Sequence, residues 1–188
     1  MGMELGNDII QNQVNMKKSD IQKMPEYFDR YINLTDDVTY REALEISLTE
    51  LEKAPIDKWK ALGEKVYAPG KWTIKDMLQH IIDTERIFAY RMTAFARKDS
   101  QKMLGFDEDN YANNAFANRR TVDDLVEELI LVRKNLIALY KSFTPEMLQL
   151  EGKGYNGTTY SVLSMGFCMA GHQRWHFKVL EERYYPLL

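Results

Sequence analysis

The chain of 188 residues has a single cysteine, Cys168, so no intrachain disulfide can hold it together and its fold has to rest on a packed core. It also lacks an excess of positive charge. Against 28 Asp and Glu stand 25 Lys and Arg, interleaved to a net charge of -3, with no basic stripe to neutralise a phosphate backbone. Nucleic acid is therefore not an expected partner. No run approaches the roughly eighteen apolar residues of a membrane span, and Met1 to Asp20 contain no apolar block of signal-peptide length. No membrane partner and a cytoplasmic location follow as expectations. The opening Met1-Gly2 does not make a myristoylation motif, because Gly6 stands where Ser or Thr is required. A Gly-rich phosphate loop, a G-x-S-x-G elbow and a Cys-x-x-Cys pair are all missing, and with them the chemistries they serve.

What is present is ordinary for one folded domain: 45% hydrophobic and 28% charged residues, far from a disordered composition. Residues 1–24 are polar and aperiodic, and read as an arm ordered only by packing against the body or a second subunit. The domain proper is placed at 25–188. In a short segment, 26–34, Tyr27, Phe28, Tyr31 and Leu34 fall at helical spacing. Thr35-Asp36-Asp37 supplies a cap for a first long helix at about 38–53, closed by Pro55. After Pro69-Gly70, apolar residues from Trp72 to Phe95 recur in steps of three and four, giving a second at about 73–97. A loop of about twenty residues follows, long enough for a role or a small helix, and its Asp107-Glu108-Asp109 suits an acidic helix start or a solvated turn. Thr121 caps a third helix reaching Phe143; Gly152, Gly154 and Gly157 mark a loop before a fourth, from Thr158 to about Arg183. Four long amphipathic helices and almost no strand pattern predict an all-α four-helix bundle with long crossover loops.

Histidine is also scarce, and it has chemistry to offer. There are three: His80, His172 and His176. His172 and His176 lie one helical turn apart and only about 40° around the axis. Their stripe also holds Val162, Met165, Met169, Val179 and Leu180, while Arg174, Lys178 and Glu181 fall opposite, so both rings point inward. Two buried neutral imidazoles leave ring nitrogens in need of partners, and one shared ion satisfies both. His80, near the edge of the second helix's apolar stripe, supplies the third ligand from another helix. Three imidazoles with open positions are the usual form of a catalytic metal site rather than a closed structural one. Glu85 falls on an apolar stripe between Ile81 and Phe88, where a carboxylate needs a partner. It is a candidate catalytic base, a fourth ligand or an acceptor for an imidazole N–H, and equally an ion-pair partner of Arg133 or Arg91. Cys168 extends the pair to C-x-x-x-H-x-x-x-H, but a small apolar cysteine in a core reads as packing.

The segments Ala68-Pro-Gly-Lys-Trp-Thr-Ile-Lys-Asp-Met-Leu-Gln-His80, Asp83-Thr-Glu-Arg-Ile-Phe-Ala-Tyr90 and Ala170-Gly-His172-Gln-Arg-Trp-His176 resemble the DinB-like superfamily, in particular its YfiT-like branch of metal-dependent hydrolases and thiol transferases. The resemblance spans roughly Pro25 to Tyr184. It implies a four-helix bundle, often dimeric, with one nickel or zinc ion on His80, His172 and His176. Many relatives carry a further histidine just before the last ligand, where this chain has Trp175. Characterised relatives use bacillithiol or mycothiol, so the resemblance implies a low-molecular-weight thiol activated by the metal and a small-molecule substrate. A thiol transferase is thus the first expectation, a hydrolase using metal-bound water the second, and a non-catalytic metal-binding or interaction protein the third.

Overall fold

A computed structural model describes residues 16–101 and 103–188; most of the expected arm lies outside them. Its last residues do not stand apart. Lys17 pairs with Thr39 in an isolated antiparallel bridge, and Met16 and Ile21 pack on the core, so packing starts before Pro25.

The helices are α1 (Asp29–Ile32), α2 (Tyr40–Glu52), α3 (Ile56–Leu62), α4 (Ile74–Ala96), α5 (Glu108–Ala115), α6 (Val122–Tyr140), α7 (Pro145–Gln149) and α8 (Val162–Val179), the last running into a π turn at Leu180–Tyr184. The four long ones, α2, α4, α6 and α8, make the expected bundle. Their starts follow from side-chain caps: Thr39, Thr73, Thr121 and Ser161 each accept the backbone N–H of the third residue of the helix. In α2 the cap is Thr39 with Glu42 in a reciprocal capping box, not the Thr35-Asp36-Asp37 group expected from sequence. One other departure involves short elements. The glycine-rich stretch closes as a hairpin, β1 (Glu151–Lys153) against β2 (Thr159–Ser161), with Gly157 at φ +85° in its turn. Residues 159–161 are thereby taken from the start of the fourth helix.

In the bundle, α2 packs against α6 and α8, and α4 packs against the same two. Helices consecutive among the long ones, α2 and α4, then α6 and α8, therefore stand at opposite corners, and α3 and α7 lie within the two crossing connections. The apolar interior is split in two. One half gathers Leu44, Phe88, Leu136, Tyr140 and Phe167; the other Leu51, Trp59, Leu78, Leu125 and Leu180. Between them each long helix contributes a buried polar residue: Ser47, Glu85, Arg133 and Gln173. No helix among the described residues is long and apolar enough to cross a membrane.

Candidate metal centre

His80 on α4 and the pair on α8 meet because those helices are neighbours. The three Nε2 atoms converge: His80 to His172 is 3.2 Å and His176 to His172 is 3.0 Å. Hydrogen bonding cannot account for this arrangement. A neutral imidazole nitrogen offers either one N–H or one in-plane lone pair, so His172 Nε2 can pair well with only one of its neighbours. A cation shared by three lone pairs can serve all of them. Ligands about 2.0–2.1 Å from one ion, at angles between square and tetrahedral, lie roughly 2.9–3.4 Å apart, so the donor set fits a small divalent metal.

Burial, the largest cause for each, holds all three imidazoles neutral: His80 is pushed down to about 4, His176 to about 3, and His172 well below its usual range, helped there by the two other rings and by Arg133. Aromatic rings fix the orientation. Trp72 lies against His80 at 4.7 Å between ring centroids and donates its indole N–H to Asp109 of α5 at 3.1 Å; Tyr31 meets His172 edge-on at 5.1 Å. Tyr31 can come so close because the neighbouring residue on α8 is Gly171, where an added Cβ would sit 1.9 Å from the Tyr31 carbonyl oxygen. A mid-helix glycine next to a histidine was the only sign of this contact in the sequence. Trp175 packs on Tyr31 at 5.7 Å between ring centroids.

Glu85 is not part of the cluster. Its two oxygens accept from Arg133 Nε and Nη2 at 2.8 and 2.9 Å, with both side chains fully buried. These are the contacts of the ion-pair alternative, since both oxygens are aimed at Arg133. Arg91, the other candidate partner of Glu85, lies elsewhere. Cys168 is buried, and burial pushes its thiol far up, as fits a packing residue.

Beside the histidines opens a cavity of about 260 Å³, walled by His172, Tyr31, Phe88 and Tyr160, with Thr84, Arg91, Asn156 and Glu108 among its polar groups. Tyr27, at its rim, holds φ +73°, a left-handed conformation uncommon for a tyrosine, with the Arg30 guanidinium 3.5 Å over its ring. Sequence reading found the histidines but not this wall, which is drawn from five separate segments.

A family model of the DinB superfamily matches residues 23–180. No curated protein matches the chain. Among solved structures it is similar to YfiT from Bacillus subtilis, described as a probable metal-dependent hydrolase with an unusual four-helix bundle topology: TM-score 0.64, 13% identity, 86% of this chain and 88% of that one covered. It is also similar to a mycothiol-dependent maleylpyruvate isomerase, with TM-score 0.57 and 15% identity over 87% of this chain and 62% of the isomerase. At such identities the likeness is one of fold.

Proposed function

Because the chain belongs to the DinB superfamily, we propose that His80, His172 and His176 hold one divalent cation, nickel or zinc, in a transferase that acts with a low-molecular-weight thiol on a small electrophile. The observation that carries this reading is three Nε2 atoms brought together closer than their own hydrogen bonding can satisfy, with His172 on the wall of a cavity furnished with a guanidinium and an amide, Arg91 and Asn156. A bound divalent ion supplies Lewis acidity, which favours thiolate over thiol near neutral pH. The chain's own residues do the rest. Burial keeps the imidazole lone pairs free of protons, Trp72 and Tyr31 hold the rings in place, and the aromatic wall lines the space beside them.

A hydrolase is the second reading, and one observation favours it. Glu108 lines the same cavity with its carboxyl raised by partial desolvation and by Asp109 beside it, a group suited to take a proton from water, whereas Glu85 is held by Arg133.

Titration with nickel and zinc tests the centre. One ion per chain is expected, and His80→Ala, His172→Ala and His176→Ala should each weaken affinity by at least about a hundredfold, more than the loss of a supporting group costs. Unchanged affinity in His80→Ala excludes the shared site. Metal-loaded protein offered electrophiles with and without thiols then separates the readings: turnover that needs thiol supports transfer, and thiol-independent consumption with water supports hydrolysis.

A further inference from the structure

Arg91 is 4% exposed, yet no carboxylate lies within ion-pair distance of it among the described residues. Its one protein acceptor there is the Leu104 carbonyl, at 2.7 Å from Nη2. Arg133, as deeply buried, has a carboxylate on two of its nitrogens. A guanidinium taken out of water without a counter-charge is costly, and burial accordingly shifts Arg91 downward. Arg91 faces the cavity beside the histidines, as does Thr84, whose buried hydroxyl has no partner. A guanidinium without a counter-charge and a hydroxyl without a partner, in one aromatic-walled cavity, point to an occupant. Glu108, the one acidic residue lining it, feels the charge of Arg30.

We propose that Arg91 anchors a carboxylate of the small molecule that fills this cavity. The guanidinium offers paired N–H groups that match a carboxylate's two oxygens. His80, Thr84, Phe88 and Arg91 follow one another in steps of four, four and three along one stripe of α4, and over eleven residues the helix rises about 16 Å. Arg91 leans back toward His80 from the far end, because helix side chains tilt toward the N-terminus. The carboxylate thus binds at the end of the molecule remote from the histidines, and its apolar or aromatic body lies along Phe88 and Tyr160. At the packing density of protein interiors, the volume admits roughly a dozen non-hydrogen atoms. That is a small acid, or the acidic end of a larger thiol.

The assignment rests on reading the cavity as the substrate site, so its test is made without metal. Binding of two matched pairs is measured on metal-free protein: 3-phenylpropanoate against 3-phenylpropanamide, and N-acetylcysteine against its amide. At least tenfold preference for the acid in one pair is expected, the discriminating pair naming substrate or thiol as the source, and Arg91→Gln should abolish it while amide binding and thermal midpoint hold. If Arg91→Gln does not fold, a crystal of the wild type with the preferred acid decides, its carboxylate expected on Arg91. Equal affinity of acid and amide in both pairs, an acid seated elsewhere, or a preference that survives Arg91→Gln overturns the proposal. Failure of the metal reading appears separately, as absent metal uptake, and leaves these ratios unchanged.

Discussion

Two polar groups interrupt the apolar interior of this bundle, and they are satisfied in opposite ways. In the layer of Glu85, Arg133, Ser47 and Gln173, one residue comes from each long helix. Arg133 meets Glu85 twice and the Ser47 hydroxyl once, and Gln173 donates to the Ser47 carbonyl at 2.9 Å and to Glu50 at 3.3 Å. Only Gln173 Oε1 lacks a partner. In the histidine centre, three nitrogens face one another with too few protons and lone pairs to go round. Burial alone does not distinguish a structural polar group from a functional one. The difference lies in how far protein atoms complete it: the first group is satisfied from within but for Gln173 Oε1, and the second is left with contacts that its own protons and lone pairs cannot all serve.

Breaking the finished group should have the largest effect. Arg133→Met leaves Glu85 buried and unpaired, for a cost of about 3–5 kcal/mol, whereas Arg133→Met with Glu85→Leu, which removes both charges, should recover most of it. Urea unfolding measures both, and a double variant no more stable than the single one would show that the layer does more than satisfy itself.

A smaller effect comes from pH, and it belongs to the histidines. In the unfolded chain an imidazole takes up its proton near 6.5, while in the folded metal-free protein His80 does so near 4 and His176 near 3. Between those values the unfolded chain binds more protons, so stability is complete above about pH 6.5 and falls as pH drops through that window. Denaturant midpoints at pH 7.5, 6 and 5 should decline in that order, less steeply in His172→Ala. A curve unaffected by removing histidines would place the acid sensitivity elsewhere. The smallest effect is expected at Cys168. Cys168→Ala should change stability by only about 1 kcal/mol and leave metal affinity alone, and the wild-type thiol, held protonated, should resist alkylation in the folded state.

What could be read from sequence was local in origin. The i,i+4 spacing of His172 and His176 is fixed by helix geometry, the bundle by the period of its apolar residues, and His80 by being the one histidine left. The partner of Glu85 was narrowed to two arginines, but choosing Arg133 needs the register between α4 and α6, which no local pattern holds. The same limit hid the cavity, whose wall joins residues from Tyr27 to His172. Thr39 displaced the expected cap of α2 because Glu42 completes its box, and Lys17 pairs beside it. Arg91 offered a sign in hindsight, an arginine among apolar neighbours with no acid in reach on its own helix.

The diagonal placement of α2 and α4 also governs when a growing chain can fold. When synthesis has reached Ala96, both helices exist as sequence, yet as diagonal partners they do not pack directly on each other. Shelter first comes with α6, which ends 44 residues later at Tyr140, roughly 2–9 s at ordinary translation speeds. The histidine centre waits longer still, for α8. Through that interval the nascent protein carries two unburied amphipathic helices, a demand on chaperones that an up-and-down bundle, able to close its first hairpin at once, does not make.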